Sequence, residues 1–152
     1  MNTLKSFRNI LFWLLVLLMV MPSPIFAQES KTSPQKFSQE ELDQVLAPIA
    51  LYPDSLLAQV FIAATYPLEV VMADRWVRQN KDLKGDALNA AVSKQPWDTS
   101  VKALVPFPDV LSTMSQKLDW TQKVGDAFLA QQGDVMDTVQ KLRKRASEAG
   151  NL

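Results

Sequence analysis

The sequence contains no cysteine and no histidine. Without cysteine there is no disulfide, so stability has to come from packing alone. Without either residue the common zinc sites cannot be assembled. Ser-His-Asp and Cys-His nucleophilic machinery is excluded as well, as are histidine-ligated haem and histidine proton shuttles. Catalysis would have to rest on carboxylates, Lys, Tyr or Ser. A dominant charge is also missing, with 16 basic against 16 acidic residues. No polyanion partner is implied, and nucleic acid is not an expected ligand. No cofactor and no metal site are expected.

Long apolar runs are missing too, apart from Ile10 to Met21 (ILFWLLVLLMVM). Lys5 and Arg8 precede that run, Pro22 and Pro24 follow it, and Ile25-Phe26-Ala27 offers a small residue for cleavage. This order predicts a secretory signal over 1–27. The rival reading is a membrane anchor. Twelve helical residues rise about 18 Å, well short of a hydrocarbon core of about 30 Å. No cysteine stands near the cut to take a lipid. The mature chain is expected in the periplasm or secreted, with 14 basic against 16 acidic residues, a balance of −2.

Residues 28–37 (QESKTSPQKF) are polar and read as a flexible leader. Residues 38–152 suit a single domain. Ser38 with Glu41 forms a capping-box pattern, and Leu42, Val45 and Leu46 follow at helical spacing until Pro48. Tyr52-Pro53-Asp54 is a turn. Ser55 to Ala64 is apolar on nearly every face and predicts a central helix. Pro67 suits the first position of the next helix, with Leu68, Val71, Met72, Arg75 and Trp76 on one face and Asp74, Arg78 and Gln79 facing water. Asn80 to Gly85 is a loop.

Asp54, Asp86, Asp98, Asp109 and Asp119 are each read as N-caps of the helices that follow them. The last segment, Trp120 to Ala149, repeats Val124, Phe128, Gln131, Val135, Val139, Leu142 and Ala146 at threes and fours. Gly133 is its expected weak point, and Gly150 its C-terminal cap. No strand alternation is present. The expected fold is all-α: a compact bundle of six to seven helices with Pro-Asp turns and a long C-terminal helix.

Two stretches echo each other, Asp43 to Leu56 (DQVLAPIALYPDSL) and Asp98 to Leu111 (DTSVKALVPFPDVL). Each places an aromatic-Pro-Asp turn between two helices. Either an old duplication has left two related pockets, or helical proteins reuse one form of punctuation.

The run Leu46-Ala47-Pro48-Ile49-Ala50-Leu51-Tyr52-Pro53-Asp54, followed by Ala63-Ala64-Thr65-Tyr66-Pro67-Leu68-Glu69, resembles the domain of unknown function 3300 family. So do Trp97-Asp98 with Ser100-Val101-Lys102-Ala103-Leu104, Phe107-Pro108, Leu118-Asp119-Trp120-Thr121, Gly125-Asp126-Ala127-Phe128 and the closing Ala149-Gly150-Asn151-Leu152. The resemblance covers about residues 38–152. It implies a bacterial exported protein of the Gram-negative type and carries no assigned activity or catalytic residue. Similar proteins often carry a long polar tail after this domain.

Candidate contact residues are the aromatics beside turns and their polar neighbours: Tyr52, Asp54, Trp97, Asp98, Lys102, Phe107 and Trp120. A flat ring stacks on a sugar or peptide while an acid takes hydroxyls or amides. The competing reading has the rings seal the core and the acids cap helices. Asp54, Glu69, Asp98, Asp109 and Asp119 could supply a glycosidase-type acid pair. Asp134 and Asp137 stand one turn apart and could share a cation, but an exposed helix face explains them more simply. The cluster Lys141, Arg143, Lys144 and Arg145 suits either a helix end or an anionic membrane surface. The expected function is therefore a non-catalytic envelope module that binds a protein or a cell-wall component. The alternatives are a carboxylate-based cell-wall or glycan hydrolase and a peripheral membrane protein.

Overall fold

The computed structural model describes residues 36–150. The expected signal over 1–27 and most of the expected leader lie outside the described residues. Seven helices follow in order: α1 (Gln39–Leu46), α2 (Asp54–Ala64), α3 (Pro67–Gln79), α4 (Gly85–Ser93), α5 (Thr99–Leu104), α6 (Pro108–Gln116) and α7 (Leu118–Glu148). Among the described residues there is no strand. The all-α expectation holds, with the long helix last.

The first helix starts where its capping box places it. Ser38 Oγ accepts from the Glu41 amide, and Glu41 Oε2 accepts from the Ser38 amide at 2.8 Å. Phe37, just ahead of it, packs on the core, and its amide donates to Gln131 Oε1 at 2.6 Å. Pro67 occupies the first turn of α3, as its fixed φ favours.

Four of the five Asp caps are corrected. Asp98 does cap α5, accepting from the Ser100 amide. Asp54, Asp86, Asp109 and Asp119 lie within the first turns of their helices and make no cap bond. At α6 the reason is Pro108: it takes a first-turn position, so the helix starts before Asp109. An acid inside the first turn still opposes the positive helix end.

The core forms around α2, where Leu57, Val60, Phe61, Ala63 and Ala64 are buried. Full burial of one such Leu or Phe side chain contributes about 1.5–3 kcal/mol. Phe61 stacks on Phe128 of α7, with centroids 5.3 Å apart. Helix α7 crosses the end of α2 so closely that a Cβ on Gly125 would sit 2.5 Å from the Ala64 carbonyl oxygen. Only glycine permits that approach.

The buried stripe of α7 matches its periodicity: Val124, Gln131, Val135 and Val139 are buried, and the stripe folds back on the domain. The break falls at Gln131 (φ −154°, ψ 55°) rather than at Gly133. Gln131 is buried and uses its amide on the Phe37 backbone, a long-range tie that its residue type does not announce. Gly150, at φ 75°, closes the helix as expected.

The buried face of α3 also differs from expectation. Val70, Ala73 and Asp74 are buried, whereas Leu68 and Met72 are exposed. Both stripes have helical period. The one carrying Ala73 brings α3 close to α6, and Arg78 compensates the buried Asp74. No single described helix is long and apolar enough to cross a membrane, and α2 and α3, which pass that test only as a pair, are bent by 114°.

Candidate functional site

The seven sequence candidates do not gather at one place. Tyr52 and Asp54 line a shallow depression of about 350 Å³ with Leu51, Pro53 and Arg143. Arg143 fills it from α7. Its Nε donates to the Ala50 carbonyl at 2.7 Å, Nη1 to Asp54 at 2.6 Å and Nη2 to the Tyr52 carbonyl at 2.7 Å. One guanidinium thereby fixes the whole first aromatic-Pro-Asp turn.

Trp97 is buried, packed edge-on against Trp76 at 5.9 Å, and its Nε1 has no hydrogen-bond partner among the described residues. Asp98 beside it accepts from the Ser100 hydroxyl and amide, and these bonds hold its carboxyl below the usual carboxylate range. The Asp98 amide donates to Glu69 Oε2 at 2.6 Å. Two acids thus lie near each other here, but one is held ionised and the other is engaged by a backbone amide. Lys102 sits half-buried in the last turn of α5. Trp120 is half-buried and donates from Nε1 to the Val45 carbonyl at 2.8 Å, tying α7 to α1. Phe107, at the second aromatic-Pro-Asp turn, is exposed.

The cations of α7 mostly serve the domain. Arg145 meets Asp43 at 2.6 Å, Lys141 donates to Gln39 at 3.0 Å, and Lys144 pairs with Glu148 at 3.8 Å. The Arg145 hydrogen bond holds the Asp43 carboxyl below its ordinary range. Asp134 accepts from Gln131 and pairs with Lys36, so it is not poised with Asp137 as an open cation pair.

A further groove contains none of the seven candidates. It has a volume of about 570 Å³, within the range of ligand sites. It runs between the end of α3, the 80–84 loop, α4 and the turn joining α5 to α6. Val77, Leu88, Val105, Pro106 and Pro108 supply apolar wall. Arg78, itself exposed, lines the groove and is held by the buried Asp74: Nε reaches Oδ1 at 3.1 Å and Nη2 reaches Oδ2 at 3.0 Å, while Nη2 also donates to Ser112 Oγ at 3.1 Å. A guanidinium has five N–H donors. The two on Nη1 have no partner among the described residues. Lys81 and Lys84 stand on the rim with no ion pair among the described residues, and Asp109 stands opposite.

The periodicity of α3 concealed this site by placing Asp74 in water with Arg78, whereas Arg78 is exposed and Asp74 is buried. The legible signal was their spacing of four, which lets a buried acid orient an arginine one turn on.

The fold and the matched sequence define a class: residues 38–152 match the family described as protein of unknown function (DUF3300), and the chain belongs to that family. Within it, the chain is 53% identical over 116 residues to "Uncharacterized protein YacH" of Escherichia coli (strain K12), covering 76% of this chain. The matched region spans 19% of that relative's length, so the chain corresponds to about a fifth of it. No solved structure matches the chain significantly.

Proposed function

We propose that this is an exported envelope protein whose helical domain binds another protein and catalyses no reaction. The observation that carries the reading is the groove beside α4. It combines apolar wall with an arginine whose orientation is fixed and whose outward donors are open. A binding surface of this kind presents prearranged donors at low ordering cost. Export is supported by Lys5 and Arg8, the Ile10 to Met21 run and the small residue Ala27.

The hydrolase alternative gains nothing from the geometry. Of its candidate acids, Asp54 is engaged by Arg143, Asp98 by Ser100, and Glu69 by the Asp98 amide. Asp98, whose carboxyl the Ser100 bonds hold below the usual range, makes a poor general acid near neutral pH. The membrane alternative is weakened because Arg143, Lys144 and Arg145 all have acidic partners within the domain.

The test is site-specific photocrosslinking in cells, combined with fractionation of the envelope. A photoreactive residue replaces Leu88 in the groove or, as a control, Ser147 at the end of α7. Export predicts recovery from the envelope fraction. Binding predicts a reproducible adduct to one protein from position 88, verified by reciprocal capture, and none from position 147. Cytoplasmic retention, or no adduct from position 88, would sink the reading.

A further inference from the structure

The two aromatic-Pro-Asp turns offer an internal comparison of ligand chemistry. At the first, Arg143 binds two main-chain carbonyls and one carboxylate, those of Ala50, Tyr52 and Asp54. Its occupant is in effect a short acidic peptide belonging to the same chain. At the second, Pro106, Pro108 and Asp109 line the groove, and the nearby arginine is Arg78. Arg78 is anchored from behind by Asp74 and Ser112, and its Nη1 donors meet no acceptor among the described residues. Ser112 Oγ accepts from Arg78 and from Gln116, so its own proton is also free to donate.

We infer that the groove takes an extended acidic peptide segment of a partner protein, with a carboxylate and adjacent main-chain carbonyls on Arg78 and Ser112. This rests on the reading of the groove as the binding surface and names what fills it. Lys81 and Lys84 add positive charge at the rim, and charge complementarity of this kind selects carboxylates over neutral side chains. Val77 and Leu88 give the apolar contact that such a segment needs beside its charges. A membrane surface fits less well. Asp74 and Asp109 line the same groove, and Asp82 and Asp86 alternate with the lysines along the loop, so no broad positive face is presented to lipid.

The experiment screens the purified full chain against an array of random decapeptides sorted by net charge, then measures the strongest binders by fluorescence anisotropy. Binders should be enriched in Asp and Glu. Replacing their acids by Asn and Gln should weaken binding at least about tenfold, and raising salt should weaken it further. Arg78→Lys keeps the charge but loses the fork, and should weaken binding about fivefold or more. Because Arg78 supports a buried acid, the decisive variant is Lys81→Ala with Lys84→Ala, both exposed, which should weaken acidic peptides and leave neutral ones unchanged.

The inference is overturned by binders without acidic enrichment, by equal affinity for the amide versions, or by a folded double-lysine variant that binds like the parent. Tighter, groove-dependent binding of anionic phospholipid vesicles than of any peptide overturns it as well. A protein adduct from position 88 together with indifference to acidic residues would remove this inference and leave the interaction module standing.

Discussion

The seam between α1 and the second half of α7 contrasts with the short helix α4. Along the seam Leu42, Leu46, Val135 and Val139 are buried. Polar ties cross it at Gln39–Thr138, Lys141–Gln39 and Arg145–Asp43. On α4 only Val92 is buried, and the helix makes no extensive contact with any other described helix. Both segments have helical sequence, so propensity does not separate them. What separates them is the width of the apolar stripe and the number of distant residues that lock it. Segments at the lightly held end of this range are the ones that open or adjust around ligands. Leu88 of α4 lines the groove, which places the candidate site beside this lightly held helix.

The same chemical change in each region gives the largest contrast. Leu42→Ala removes a side chain that is 1% exposed, and should cost about 2–5 kcal/mol. Leu88→Ala removes a half-buried one on α4 and should cost below about 1 kcal/mol, since the site collapses onto solvent. Urea denaturation reads both. Native-state hydrogen exchange should show α4 amides opening locally while those of α1 and α7 exchange near the global limit. Equal costs, or equal protection, would erase the distinction between the two regions.

A smaller effect tests whether the polar locks matter beyond the packing. Arg143→Met keeps much of the aliphatic stem but removes the bonds to Ala50, Tyr52 and Asp54. Two buried or half-buried carbonyls lose their donor. The expected loss is about 2–3 kcal/mol, discounted because Asp54 itself is exposed. Peptide binding at Arg78 should be unchanged in that variant. If binding falls with the Arg143 change, the two turns are coupled and the comparison between them needs a shared element.

Much of this organisation was legible because it is local. Ser38 and Glu41 lie within one turn, Pro67 fixes its own φ, and the α7 stripe repeats with the helix period. Four of the five Asp caps failed because a shift of one residue turns a cap into a first-turn acid, and the neighbouring proline or the packing sets that shift. The face of α3 failed for a different reason. The stripes Leu68-Val71-Met72-Arg75 and Val70-Ala73-Asp74-Val77 both have helical spacing, and only the partner helices choose between them. The candidate aromatics were found as turn residues, yet their partners are far off in sequence, as with Arg143 and Tyr52 or Trp120 and Val45. The groove needed α3 and α6 side by side, with Arg78 and Ser112 separated by 34 positions.

The smallest expected effect concerns acid. Asp43 belongs to the seam, and the Arg145 hydrogen bond lowers its carboxyl below the ordinary value of 3.8. The folded state therefore holds this proton less readily than the unfolded chain does. The stabilisation is complete above about pH 4 and is lost as the pH falls through the lowered value, where the unfolded chain binds more protons. Arg145 is largely exposed, so the contribution at neutral pH is at most about 1 kcal/mol. Asp43→Asn should lower the urea midpoint slightly at pH 6 and make stability less steep in pH below about 4. Asp98→Asn is the matching probe away from the seam. Asn still caps a helix, so this change removes the charge while keeping the capping geometry, and its acid limb should flatten with the same sign. The two variants differ in where the loss is felt. Acidification should reduce exchange protection across α1 and α7 through Asp43, while α4, already near its local limit, should change little. An acid slope unaltered by Asp43→Asn, or a loss of protection that begins in α4, would mean that the seam is held by packing alone and that its charges merely decorate it.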